Sequence, residues 1–288
     1  MATLKQIRRR IRSVKSTQQI TRAMEMVAAA KLKRATDRAL ASRPYAQKAA
    51  EVLKSLAGAT SDLSHPLFEE RPVQKKLLVV LASDKGLCGS YNMTVFRRME
   101  NEHPRGSREG LLLYPVGKRS DAYFGKRPWT IHASMPELGD QTDPQKAKRL
   151  ATELVQLYID KKVDRISLVF TRYVSVISRR VVEEQLLPIV PETGGAHGQE
   201  SKSENYIFEP SPEAIFESLL PRYVENRILQ AMSESIASEH AARMVSMGAA
   251  SKNAKEVIER LTLEGNKLRQ AAITREISEI VGGVEALK

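Results

Sequence analysis

The stretch from Arg222 to Lys288, RYVENRILQAMSESIASEHAARMVSMGAASKNAKEVIERLTLEGNKLRQAAITREISEIVGGVEALK, contains no proline and reads almost throughout as helix. Strong helix formers dominate it, and its glycines are confined to Gly248, Gly265, Gly282 and Gly283. A continuous helix of that length extends about 100 Å, far beyond the three or four turns of an ordinary globular helix. It needs a partner to bury its apolar stripe. Near its end Ile273, Ile277, Ile280, Val284 and Leu287 recur at three- and four-residue intervals, which is a heptad seam. Upstream, Ile258, Leu261 and Leu268 keep a related but slipped register.

A matching seam lies at the opposite end of the chain. Leu4, Ile7, Ile11 and Val14 repeat with 3–4–3 spacing; the stripe then slips by one position and resumes at Ile20, Met24 and Val27. The expected helix runs from Leu4 to Leu56 with a kink at Pro44, and Ala28, Ala29, Ala30, Ala35 and Ala39 keep its middle slim. Two seams at opposite ends suggest an intramolecular antiparallel pair. An ordinary helical bundle or a homodimeric coiled coil would use the same pattern.

Between the seams the periodicity changes. Leu77–Ala82 is a short apolar run of the kind buried in a parallel sheet, and Ser83–Asn92 follows it as a turn. Met93–Glu102 reads as helix, Leu111–Val116 as a second strand and Ser120–Phe124 as a short helix. Asp143 caps a helix that starts at Pro144 and buries Leu150, Leu154, Leu157 and Tyr158. Ile166–Phe170, Val174–Ile177 and Val181–Leu187 read as further strands, and Gly194–Glu204 as a polar surface loop. The expected fold class is α/β: a long antiparallel coiled coil of the N- and C-terminal helices, with a Rossmann-like doubly wound domain inserted between them. The expected divisions are a coiled-coil helix over 1–57, the α/β domain over 58–210 and a second coiled-coil helix over 211–288.

Charge is distributed unevenly. Residues 1–57 carry 14 Lys and Arg against 3 acids, whereas 211–288 carry 10 against 11, so nearly all of the +12 excess sits on the first helix. That favours an acidic partner, or simply a solvated basic face. Residues 1–44 contain no Tyr, Phe or Trp on which bases could stack, which weakens a nucleic-acid reading. Arg8, Arg9, Arg10 and Arg12 resemble an Arg-rich targeting segment, but the seam already begins at Leu4, and a cytoplasmic product is expected. No apolar run approaches the length of a membrane span. A single cysteine, Cys88, cannot form an internal disulfide.

The α/β domain invites an enzyme reading that its motifs do not support. The first turn offers Gly86 and Gly89, a G-x-x-G where a dinucleotide site needs G-x-G-x-x-G, and no stretch supplies G-x-x-x-x-G-K-[ST]. The histidines at 65, 103, 132, 197 and 240 show no metal-ligand spacing. Cys88 has no local base, and no G-x-S-x-G elbow occurs. No catalytic residue, cofactor-binding residue or metal ligand is expected. A small nucleotide-binding enzyme and a basic nucleic-acid-binding coiled coil remain the alternatives.

Five segments nonetheless resemble one family over nearly the whole length: Ile20–Lys31 (ITRAMEMVAAAK), Ser83–Gly89 (SDKGLCG), Leu220–Val224 (LPRYV), Ser238–Met244 (SEHAARM) and Asn266–Glu276 (NKLRQAAITRE). The chain resembles the gamma-subunit family, the central rotor shaft of the bacterial F-type ATP synthase. Ile273, Thr274, Glu276, Glu279 and Gly283 match its C-terminal signature, where Val284 replaces an alanine; Gly265 replaces a large residue and Gly248 an acid. The family's chloroplast cysteine insert is lacking, since only Cys88 is present. The resemblance implies one copy per complex, within a hexamer of alpha and beta subunits and in contact with the epsilon subunit and the membrane c-ring. It implies no nucleic acid, no cofactor and ATP chemistry confined to the beta subunits. The location implied is the cytoplasmic face of the bacterial inner membrane, held peripherally, with proton transport as the complex's coupled reaction. It further implies that Arg269, Gln270, Thr274 and Glu276 meet loops of the beta subunits, and that Arg8, Arg9, Arg12 and Lys31 face acidic beta segments.

Overall fold

The computed structural model describes residues 3–59, 65–190 and 212–285, with side chains for 3–38, 65–190 and 217–283. Helix α1 spans Leu4–Ala59 with Pro44 inside it, and helix α5 spans Pro212–Glu285 with Pro221 inside it. Between them lie β1 (Lys76–Leu81), α2 (Tyr91–Glu102), β2 (Leu111–Val116), α3 (Lys118–Phe124), α4 (Pro144–Ile159), β3 (Arg165–Tyr173) and β4 (Arg179–Leu187). The expected loop at Gly194–Glu204 lies outside the described residues.

The chain forms two compact units, one of Met1–Ala28 with Arg243–Lys288 and the other of Ala29–Ala242. These do not follow the expected divisions at 57/58 and 210/211. The reason is that Ala29–Arg38 of α1 and Leu220–Ala242 of α5 pack within the α/β unit. Arg227 pairs with Glu184 of β4, Ser238 donates a hydrogen bond to the Thr171 carbonyl of β3, and the Tyr91 hydroxyl of α2 reaches Ser235.

In the α/β unit the sheet order is β2-β1-β3-β4, with β1 parallel to both neighbours and β4 antiparallel to β3. Leu78, Val80 and Ala82 face α2 and α3, where Val95, Phe96, Met99 and Phe124 bury them. Leu77, Val79 and Leu81 point to the other face and are equally buried, which is why β1 reads as a continuous apolar run. Helix α4 starts as expected: the Asp143 side chain accepts from the Gln145 N–H, and Pro144 takes the first helical position. One expected strand is corrected. Val174–Ile177 forms the turn between β3 and β4, with Ile177 86% exposed, because Val174 and Ser175 bond back to the Ser178 carbonyl instead of to a neighbouring strand.

The helical unit is an antiparallel pair. A Cβ built on Gly265 would lie 3.3 Å from the Ile7 side chain, and one on Gly248 would lie 2.9 Å from the Glu25 carboxylate. Moving back along α1 from Glu25 to Ile7 thus moves forward along α5 from Gly248 to Gly265. The packed positions of α1 in this unit are Leu4, Ile7, Ile11, Val14, Gln18, Thr21, Glu25 and Ala28, an unbroken 3–4 alternation. On α5, Met247, Ser251, Ala254, Ile258, Leu261, Gly265 and Leu268 follow a 4–3 alternation, with Gly248, Ala250 and Val257 partly covered beside them. The expected slip after Val14 is therefore absent. The seam continues through polar Gln18, Thr21 and Glu25, while Ile20 and Val27 are exposed and Met24 is half-buried.

The C-terminal seam is corrected as well. Ile273, Ile277 and Ile280 are exposed, and from Arg269 to Gly283 every described side chain faces solvent. The register explains this. It brings Leu4, where α1 begins, level with Leu268, so later residues of α5 have no α1 turn beside them. The Val284 and Leu287 side chains lie outside the described ones.

Candidate functional site

Two regions carry the polar groups that the sequence singled out. The first is the turn after β1, at the carboxyl end of the central strand, where the strand order reverses. Open α/β sheets hold ligands at that point. Here the chain's own groups meet there. Asp84 accepts three backbone N–H groups: Lys118 at 3.0 Å, Leu138 at 3.1 Å and Gly139 at 2.8 Å. Gly117, at the start of α3, has φ +96 and approaches the Ala82 carbonyl so closely that a Cβ would lie 2.1 Å from its oxygen. Asp140, next to Gly139, receives Lys31 of α1 at 2.7 Å and Lys85 of the turn at 2.9 Å. The Lys31 ammonium, aided by Lys85, holds the Asp140 carboxyl down at about 2 against the upward pull of burial. His240 of α5 contacts the Asp140 carbonyl through Nε2 at 3.1 Å. This turn therefore fastens α1, the segment before α4 and α5 to one point.

Cys88 lies inside this arrangement as a packed residue. It is buried against Tyr91 and Ala242, and Asn92 donates to its sulfur at 3.4 Å. The Tyr91 hydroxyl meets Ser235 Oγ at 2.6 Å, and burial pushes its phenol upward. Leu87, at the tip of the turn, holds a positive φ and is exposed.

The second region is the surface of the helical unit. Arg8, Arg9 and Arg12 are exposed on α1, and Arg269, Gln270, Thr274 and Glu276 are exposed on α5. The Thr274 hydroxyl donates back to the Gln270 carbonyl at 2.9 Å, so part of its polarity is satisfied within the helix. Lys31 stands apart from this set: it is half-buried in the α/β unit and paired with Asp140. The role of Asp140 was not legible in the sequence, because no local motif marks an aspartate whose partners lie on two other elements.

The crevice of the α/β unit is thus occupied by the chain's own ion pairs, and the far end of α5 in the helical unit presents only solvent-facing side chains among those described. A family model described as ATP synthase matches residues 3–287. The ATP synthase gamma chain of Heliobacterium modesticaldum is 46% identical, with both chains covered in full. That of Chloroherpeton thalassium is 41% identical over all of this chain and 99% of its own. The chain belongs to the ATP synthase family. Among solved structures, the central stalk of the Tetrahymena thermophila mitochondrial ATP synthase aligns with a TM-score of 0.61 at 25% identity, covering 81% of this chain and 99% of its own. A rotor chain of the Euglena gracilis enzyme shares the fold, with a TM-score of 0.65 at 18% identity, covering 94% of this chain and 98% of its own.

Proposed function

We propose that this chain is the central-stalk rotor subunit of a proton-translocating F-type ATP synthase. The observation that carries the reading is the antiparallel helix pair with its unpaired, solvent-facing C-terminal end, in a chain similar throughout its length to gamma chains. One copy would stand within a hexamer of alpha and beta subunits, in contact with epsilon and the membrane c-ring. Among the described residues no helix is long and apolar enough to cross a membrane. The subunit would be held peripherally, on the cytoplasmic face of the bacterial inner membrane, through its partners.

The chain performs no bond chemistry in this reading; ATP is made and cleaved on the beta subunits. Its work is population shift. Each beta subunit has open and closed states, and a rotating asymmetric surface contacts them unequally. Driving one site from 1:99 to 99:1 requires about 5.5 kcal/mol of differential contact energy. Exposed single ion pairs contribute only about 0–1 kcal/mol each, so the shift is spread over several contacts. Arg269, Gln270, Thr274 and Glu276 supply polar contacts to beta loops, and Arg8, Arg9 and Arg12 to acidic beta segments. Exposed Ile277 and Ile280 are free to bear against an apolar collar. A stiff helix pair transmits torque to these contacts better than loops would.

Mixing the tagged chain with purified alpha and beta subunits tests the reading. Capture of an alpha–beta hexamer with one copy of the chain is expected. Salt-sensitive DNA binding with no capture, or nucleotide protection of the isolated chain, would replace the rotor with one of the other two readings.

A further inference from the structure

We propose that Glu102, His103 and Glu183 form a binding site for a divalent transition cation of the Zn2+ type, independent of the rotor reading. One ligand atom from each of the three lies within 4.8 Å of the others. Glu102 is the last residue of α2 and His103 its C-cap. Glu183 projects from β4 toward the α2 side of the sheet, two residues after Val181, which packs with Val95, Phe96 and Met99 of α2. No local spacing announces the site, because its third member comes from a distant strand.

The decisive atom is His103 Nε2. It is buried, and its nearest polar neighbour is Glu183 Oε2 at 3.9 Å, an ion pair when the ring is protonated but longer than a hydrogen bond. At that separation a cation seated between the imidazole nitrogen and the carboxylate would be bonded by both, with the ring neutral. The ring is held in place from the other side. It lies edge-to-face with Trp129, which carries the Arg108 guanidinium on its ring, and Arg108 Nε donates to the His103 carbonyl at 2.8 Å. Glu183 Oε1 is on Lys76 and Glu102 Oε1 on Arg98, while Glu183 Oε2 is the oxygen that faces His103. Hydrogen-bonded carboxylates of this kind are the ordinary outer support of a metal ligand.

The donor set selects the ion. One imidazole and two carboxylates suit Zn2+, with water completing the shell, whereas Ca2+ takes six to eight oxygens and Mg2+ keeps mostly water. At metal–ligand distances of about 2.0–2.2 Å, tetrahedral ligand atoms stand about 3.4 Å apart. Metal binding would draw the three ligand atoms together, chiefly through the exposed Glu102 side chain. Bound metal would pin the end of α2 to the outer strand β4.

The test uses the full chain, stripped of metal by a chelator. Titration calorimetry with Zn2+ should give one site per chain, reversed by chelator and not reproduced by Mg2+. At a hundredfold excess over the dissociation constant, Zn2+ should raise Tm by about 5–10 °C. Co2+ should give a visible absorption band. His103→Gln and Glu102→Gln should each weaken Zn2+ binding at least tenfold and abolish the Co2+ band, with helix content unchanged. Glu102 is exposed, so its variant serves even if His103→Gln destabilises the fold. Absence of saturable Zn2+ binding below about 100 µM, or equal affinity in both variants, would overturn the site.

Discussion

Asp140 gathers cations from two elements that are distant in sequence, Lys31 of α1 and Lys85 of the turn after β1, and its stability contribution is readable by titration. Its carboxyl is depressed to about 2, below the unfolded value near 4. The stabilisation is therefore complete above about pH 4 and disappears as pH falls toward 2. With the carboxylate side chain 33% exposed, solvent screening limits it to roughly 1–2 kcal/mol. Asp140→Asn should lower thermal stability at pH 7, and the gap between variant and parent should narrow between pH 4 and pH 2; a gap independent of pH would contradict the clamp. Lys31 shows how residue-level reading succeeds and fails. Its motif marked it out, yet an acidic surface of another subunit and an aspartate of the same chain attract a lysine equally, and only the fold supplies Asp140. For Cys88 the sequence showed the lack of a local base, and the structure buries the thiol against Tyr91 and Ala242.

At the scale of the element, the helix pair divides apolar residues that look alike in sequence. Ile7 is buried against Gly265, whereas Ile277 carries the same spacing and faces solvent. Ile7→Ala should destabilise the helical unit by about 2–5 kcal/mol, while Ile277→Ala should stay within about 0.5 kcal/mol. Thermal unfolding followed by helix content measures both, and equal costs would show that the pair continues past Leu268. The spacing of Leu4, Ile7, Ile11 and Val14 was fully legible. The continuation through Gln18, Thr21 and Glu25 was not, because a hydropathy pattern follows apolar residues even where packing geometry keeps to the heptad. Gly265 follows the same logic in reverse. In the sequence it stands where the resembling family has a large residue, and the structure makes it the hollow that receives Ile7. Enlarging it would force the two helices apart.

For the whole molecule, truncation after Gln270 separates the shaft's stability from its work. The residues removed are exposed wherever their side chains are described, so Tm should be nearly unchanged. ATP synthesis in the reconstituted complex should fall, because the contacts proposed for Thr274 and Glu276 with the beta subunits would go with the removed segment; unchanged synthesis would defeat the proposed coupling mechanism. The proline-free run, the two heptad seams and the alternation of strands and helices between them determined the fold class without coordinates, since periodicity and local propensity are properties of the chain itself. So did the family, through segments such as ITRAMEMVAAAK and NKLRQAAITRE. The register of the pair, the point at which it ends, the capture of Lys31 and the meeting of His103 with Glu183 were decided only by tertiary structure. Each depends on which distant residues share a space, and spacing along the chain holds no record of that.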